Sequence, residues 1–190
     1  KNDIIVPCSG GKDGSYVAHQ LKFKYGMNPL CVTWRPIAPT KIGKINLENF
    51  IKSGSDHIKP GFDHVLGVQK QKTLKRFTAL ATNYLGDPFQ PFIYGQYNYP
   101  VKIAVENNIS VMMYGENGEV EYGGDMKYAK SPKTDMKIRG KHYFSSIPVQ
   151  KWKNYGLKSE DLNEYMAPTL DKIIQNNTQQ HFFSYYKFWD

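Results

Sequence analysis

The chain has only two cysteines, Cys8 and Cys31, in 190 residues. So few cysteines exclude a disulfide scaffold, and the absence of a C-x-x-C pair excludes the common zinc and dithiol motifs. Both read as small buried residues on strands, and a reducing, cytoplasmic setting is expected. Long apolar runs are also missing. None approaches the roughly 20 residues that a membrane helix needs, and the mean hydropathy is -0.58. Ile4-Ile5-Val6 is too short for a signal-peptide core and has neither a basic n-region nor a cleavage site. The five histidines form no close pair such as H-x-x-x-H. His57 and His64 stand on either side of a Pro-Gly break, a poor arrangement for a metal. Acid is scarce: Asp and Glu total 17 against 25 Lys and Arg, a net charge of +8. Such a surface attracts polyanions. The excess is spread without a solid basic block, which argues against a nucleic-acid tail and leaves a phosphate-binding enzyme open.

What is present fits an ordinary α/β domain. Hydrophobic residues are 40% and charged residues 22%, a globular composition. The 14 tyrosines suit stacking on bases or sugars and suit core packing equally. Apolar runs at 3–6, 30–34, 64–68 and 110–114 predict buried strands, and helical periodicity predicts helices over 15–25, 44–52, 70–85 and 95–107. PFQP at 88–91 reads as a loop, as does the Gly- and Lys-rich stretch 115–142. Residues 149–155 and 159–176 read as helical, before an aromatic run HFFSYYKFW. The stretches GSDHI at 54–58 and GFDHV at 61–65 are a near-duplication, read as a local insertion because two copies make no repeat architecture. Strands alternating with helices predict a Rossmann-like parallel sheet flanked by helices. The expected division is an α/β domain over 1–145 and a mostly helical, aromatic extension over 146–190 packed on it as one compact unit. The opening inside a strand and the ending without a stop signal predict a natural protein longer at both ends.

In such folds ligands bind beyond the carboxyl ends of the strands, so the loops at 7–14, 34–42 and 115–124 share one edge. The strongest signal is Ser9-Gly10-Gly11-Lys12-Asp13-Gly14-Ser15 between a strand and a helix. Paired glycines let backbone N–H groups approach an anion, and a helix starting near Ser15 presents its positive end to it. Ser9 and Ser15 can donate hydroxyl bonds, Lys12 adds charge, and Asp13 is a candidate Mg²⁺ ligand. The spacing matches neither G-x-x-x-x-G-K-[ST] nor G-x-G-x-x-G. A plain glycine turn capped by Ser15 remains the alternative.

This loop resembles the SGGxDS pyrophosphate loop of the PP-loop ATP pyrophosphatases, with Gly14 in place of the generic serine and Ser15 next. That superfamily includes synthetase domains that make GMP, NAD and asparagine, and tRNA-thiolating enzymes. VTWRP at 32–36, NLENFIKSG at 46–54, GDPFQPFIYGQ at 86–96, YGENGEVEYGG at 114–124, LKSEDLNEYM and HFFSYYKFWD narrow the match. Together they look like the N-acetyl sugar amidotransferases of surface-polysaccharide (lipopolysaccharide O-antigen) biosynthesis. The resemblance runs over nearly the whole chain. An upstream cysteine-containing segment usual in that family is absent here, so no zinc is assigned.

The resemblance implies an adenine-nucleotide α-hydrolase-like (HUP) fold, ATP and Mg²⁺ as cofactors, and conversion of an acetamido group on a nucleotide-linked sugar to an acetamidino group. It implies ammonia from a separate glutaminase, channelled by a barrel subunit, with no nucleic acid and no membrane span; a homo-oligomer is left open. ATP and pyrophosphate binding falls to Ser9, Gly10, Gly11, Lys12, Asp13, Gly14, Ser15, Thr33, Trp34 and Gly115; Trp34 flanks adenine or packs in the core. Arg35, Gln90, Gln96, Glu116 and Asn117 are the substrate-binding candidates, although the glutamines equally suit loop hydrogen bonds. Lys12, Asp13, Glu116, Asn117 and Glu121 are the catalytic candidates, and Asp13 and Glu121 the Mg²⁺ ligands. Carboxylates in a Gly-rich loop, Glu119 included, are often merely solvated. Lys127, Lys130, Lys133, Lys137, Arg139 and Lys141 either clamp a diphosphate or decorate a solvated loop. Two other readings remain: a tRNA-modifying PP-loop ATPase, and a non-catalytic nucleotide-binding module.

Overall fold

The computed structural model describes residues 1–58, 61–116, 130–134 and 147–188. Its centre is a sheet. Strands β1 (Ile4–Pro7), β2 (Pro29–Trp34), β3 (Asp63–Gly67), β4 (Val111–Tyr114), β5 (Lys133–Thr134) and β6 (Gln179–Phe182) lie in the order β3-β2-β1-β4-β6-β5. The first five in that order run parallel; the two-residue β5 pairs antiparallel with β6 at the edge. This is an α/β, Rossmann-like architecture.

Alternation along β1 divides the core. Ile4 and Val6 turn to one face with Val17, Ala18, Leu21 and Phe50. Ile5 turns to the other with Val32, Val101, Ala104 and Met112. A strand buried on both faces reads as a continuous apolar run, which is why IIV and LCVTW were legible.

The helices are placed by connection handedness. Helix α1 (Lys12–His19) joins β1 to β2, and α2 (Lys41–Ser53) joins β2 to β3. The chain then returns through α3 (Gln71–Leu85) and α4 (Gln90–Glu106) to β4 on the far side of β1. Parallel crossovers are right-handed, so reversing the direction of travel puts the helices on the opposite face. The sheet therefore has its topological switch point between β1 and β4.

Several elements depart from the sequence expectation. Helix α1 starts at Lys12, three residues before Ser15, and runs on through a wider π turn over Gln20–Lys24. Helix α2 starts at Lys41 because the Thr40 hydroxyl accepts the Gly43 N–H at 3.0 Å. Helix α4 takes in the end of the supposed PFQP loop, since a proline in the first turn forfeits no helix bond. The expected helix over 159–176 is interrupted: helical turns cover Ser159–Leu162, Asn163–Tyr165 and Leu170–Gln175. Strand β6 was not expected at all. The helical C-terminal part thus also supplies a sheet strand, paired along β4 from Val111↔Gln179 to Tyr114↔Phe182.

A second aromatic layer forms beyond the sheet. Trp34, Phe77, Tyr94, Trp152 and Tyr165 pack together. The Trp152 indole donates to the Tyr94 hydroxyl at 3.0 Å, and that hydroxyl donates to the Ile147 carbonyl at 2.6 Å. Burial pushes the Tyr94 phenol up to about 12, partly opposed by the Trp152 bond. No helix among the described residues is long and apolar enough to cross a membrane.

Candidate functional site

The turn after β1 is held by glycines that leave no room for a side chain. Gly10 has φ +81, and a Cβ there would lie 2.7 Å from the Leu47 N and Cα. A Cβ on Gly14 would lie 2.8 Å from the Cys8 Cβ, and one on Gly115 would lie 2.8 Å from the Asp13 carbonyl carbon. These contacts draw α2, β1 and the end of β4 against the start of α1. Gly11 caps α1 with extended backbone (φ -77, ψ 169). The Ser15 N–H reaches the Gly11 carbonyl at 3.2 Å. The N–H groups of Lys12, Asp13 and Gly14 thus belong to the open first turn, with no helical partner. Open N–H groups and the helix dipole together make this end of α1 electropositive.

A hydrogen-bonded chain sets the turn's base. The Thr33 hydroxyl donates to the Cys8 carbonyl at 2.5 Å and lies 2.8 Å from His64 Nε2. A hydroxyl has one proton. With that proton on Cys8, His64 donates from Nε2, and the chain ties β3, β2 and β1 together just below the turn. Burial lowers the His64 pKa and favours the neutral ring. The Cys31 thiol is pushed up, first by its hydrogen bond with Cys8 and then by burial, which marks it as an inert, packed thiol; Cys8 is free and buried beside it.

A cavity of about 200 Å³ opens at the switch point. Ser9, Gly11, Asp13 and Gly14 form one wall, Gly115 and Glu116 a second, and Trp34, Phe92, Gln96 and Pro100 a third. Pro100 lacks the N–H that the Gln96 carbonyl would take in a helix. Ligand sites of open parallel sheets sit at this place.

The sequence candidates are distributed as follows. Ser9, Gly11, Asp13, Gly14, Trp34, Gln96, Gly115 and Glu116 meet around this cavity. Gly10, Thr33 and Arg35 line a second hollow on the α2 side of the same turn. Trp34 is 6% exposed and packs on Tyr99 and Tyr165; its indole N–H has no acceptor among the described residues. Lys12 points outward, its side chain 90% exposed and 3.6 Å from Asp13. Ser15 sits inside α1, not at its cap. Gln90 is wholly buried and lines neither hollow. Lys130 and Lys133 are exposed near β5. Asn117, Glu119, Glu121, Lys127, Lys137, Arg139 and Lys141 lie outside the described residues. Among the described residues, no three of the His, Cys, Asp and Glu side chains gather as a metal site.

Sequence reasoning missed Tyr114, Phe92 and Pro100 as cavity walls, and His64 as a support of the turn. Phe92 falls between the expected loop at 88–91 and the expected helix from 95, and Pro100 inside that helix, so neither was marked as a site residue. For His64, its place on β3 was the available signal.

Fold and site together define a Rossmann-like α/β protein with an electropositive, glycine-bound turn at the switch point of its sheet. No protein-family model matches the chain, and no curated protein matches it.

Proposed function

We propose that the chain is an ATP-dependent, AMP-forming amidotransferase of the PP-loop type, with an adenine-nucleotide α-hydrolase-like fold. It acts in the cytoplasm on the acetamido group of a nucleotide-linked sugar, in building a surface polysaccharide. The observation that carries this reading is the start of α1: three open N–H groups, two tight glycines and a cavity on the switch point.

The turn suits a pyrophosphate. Gly10 and Gly115 keep the backbone close, and Gly11, whose nearest neighbour to a Cβ would be Ser9 Oγ at 3.7 Å, faces open space where an anion fits. Ser9 adds a hydroxyl at the cavity wall. Lys12, exposed beside the mouth, is free to fold over a bound polyphosphate. Mg²⁺ fits the hard oxygen donors Asp13 and Glu116, which both line the cavity, and when bound it would share the phosphates' charge. Trp34, Phe92 and Tyr114 give the same cavity an aromatic side suited to a base.

In the proposed reaction the amide oxygen attacks the α-phosphorus of ATP as the bond to the α–β bridging oxygen breaks, and pyrophosphate leaves with that electron pair. Ammonia adds to the activated carbon, AMP departs with the former amide oxygen, and the amidinium product keeps the extra proton. The chain's part is to hold the leaving pyrophosphate with preorganised dipoles. Ammonia from a partner glutaminase, through a barrel subunit, completes the reading.

The test is incubation of the full chain with ATP, Mg²⁺, ammonium and UDP-linked acetamido sugars. The expected result is sugar-dependent AMP and pyrophosphate, with a product in which one oxygen is replaced by NH. AMP release indifferent to sugar would refute it.

A further inference from the structure

Folding gathers a charge that the sequence keeps in two places. Residues 70–86 and 149–159 hold seven of the 25 Lys and Arg and none of the 17 Asp and Glu, so nearly the whole net charge of +8 belongs to these two stretches. The fold lays them side by side. Arg76 donates to the Gly156 carbonyl at 2.7 Å, and the Thr73 hydroxyl to the Asp161 carboxylate at 2.9 Å. Phe77 packs on Trp152 with ring centroids 5.1 Å apart, and Tyr84 on Tyr155 at 4.3 Å. Helix α3 and the helical turn over Val149–Tyr155 therefore meet along one seam. Lys70, Lys72, Lys75 and Arg76 on one side and Lys151, Lys153 and Lys158 on the other are all exposed. None forms an ion pair among the described residues, where the pairs are Lys12–Asp13 and Lys22–Asp56. Asp161, at the seam, is held by Thr73 and by the Lys158 N–H at 3.3 Å; Asp87 and Glu160 stand just outside the two stretches. Aromatic rings lie open at the end of the seam: Tyr84 is 53% exposed, Tyr155 38%, and Phe89, just past α3, 61%.

We propose that this face docks the protein on an anionic membrane surface, with its lysines against the headgroups and its open rings at the boundary of headgroups and acyl chains. This docking is independent of the ATP-dependent reading above. A face that carries cations without carboxylates is complementary to a negatively charged plane. Tyrosine and phenylalanine give such a face an apolar body to sink a short way, and tyrosine keeps its hydroxyl in water. Two features favour lipid over a nucleic-acid strand. Six of the seven cations are lysine, a point charge that needs no fixed partner geometry, whereas forked recognition of individual phosphates favours arginine. None of the seven lines either hollow described above, whereas single strands are held in charged grooves.

The experiment is co-sedimentation of the full chain with vesicles of phosphatidylcholine mixed with phosphatidylglycerol, beside vesicles of phosphatidylcholine alone. The chain is expected to bind the mixed vesicles, to release them as salt rises, and to ignore phosphatidylcholine alone. Each lysine near such a plane contributes roughly fivefold in affinity. Lys72→Gln combined with Lys153→Gln should therefore weaken binding roughly 25-fold with an unchanged urea midpoint, because both side chains are exposed. Lys41→Gln combined with Lys52→Gln removes the same charge from α2, on the other face of the sheet, and should leave binding as it is. Failure to bind the mixed vesicles, equal binding to phosphatidylcholine alone, or equal losses in the two double variants would overturn docking by this face. A fluorescent oligouridylate held by the parent chain and lost in the Lys72, Lys153 variant, with no retention on vesicles, would overturn it too and give the face to single-stranded nucleic acid.

Discussion

Replacing Gly10 by alanine tests the turn most directly. The residue sits at φ +81 and a methyl there would lie 2.7 Å from two backbone atoms of Leu47. The left-handed backbone costs a non-glycine residue about 1–2 kcal/mol. The overlap adds about 1–3 kcal/mol, because backbone of a packed helix yields less readily than a side-chain tip. The expected loss is therefore about 2–5 kcal/mol. With a urea slope of about 1–3 kcal/mol per molar, the midpoint falls by roughly 0.7–5 M. Gly11→Ala is the internal control. Its φ is -77, and the nearest atom to its Cβ is Ser9 Oγ at 3.7 Å. It loses only cap preference, about 1 kcal/mol or less. The assay is urea denaturation of both variants beside the parent, followed by ATP-analogue titration. Equal midpoints for the two variants would refute the claim that α2 clamps the turn at Gly10.

Three further outcomes follow from the same geometry. Asp13→Asn should lower AMP formation roughly 100-fold with an unchanged urea midpoint, since its side chain is 31% exposed; unaltered Mg²⁺ dependence would remove Asp13 from the metal. Tyr94→Phe should cost about 1–3 kcal/mol by orphaning the Ile147 carbonyl and the Trp152 N–H, read in the same denaturation assay. His64 has a folded pKa below its ordinary 6.5 because of burial. The unfolded chain therefore binds more protons between the two values. Its contribution to stability is intact above pH 6.5 and is lost as pH falls toward the folded pKa; a His64→Gln variant should flatten that part of the stability curve.

Much of this layout was legible because β1 and β2 are buried on both faces and so are written as unbroken apolar runs. The edge of the sheet was not legible. β6 is Gln179–Phe182, with burial falling on Gln180 and Phe182, and glutamine carries no strand signal. The start of α1 was misplaced because Ser15 is a better cap by composition than Gly11. The cap went to Gly11 because Gly14 must lie in the first turn, against the Cys8 Cβ. The start of α2 was misplaced likewise, at residue 44, although Thr40 is a good cap by composition. Of the candidates on the turn, Ser9, Gly11, Asp13 and Gly14 line the cavity, while Lys12 points outward and Ser15 sits inside α1. Of the walls supplied by α4, Gln96 was a sequence candidate, whereas Phe92 and Pro100 were not, because a proline-rich start disguised the helix and only three-dimensional packing brings them to the cavity. Gln90 shows the converse: a polar residue beside a suggestive motif, spent entirely inside the protein.

The place of β6 governs how this chain can be made. Strand β4 is synthesised by residue 114, yet its outer neighbour arrives only with residues 179–182. For the intervening stretch of synthesis, a nascent chain on the ribosome displays an unsatisfied row of peptide groups along β4, an invitation to intermolecular pairing. Chains cut short before Gln179 keep that edge open for good and are expected to pass into aggregates, whereas trimming after Phe182 spares the sheet.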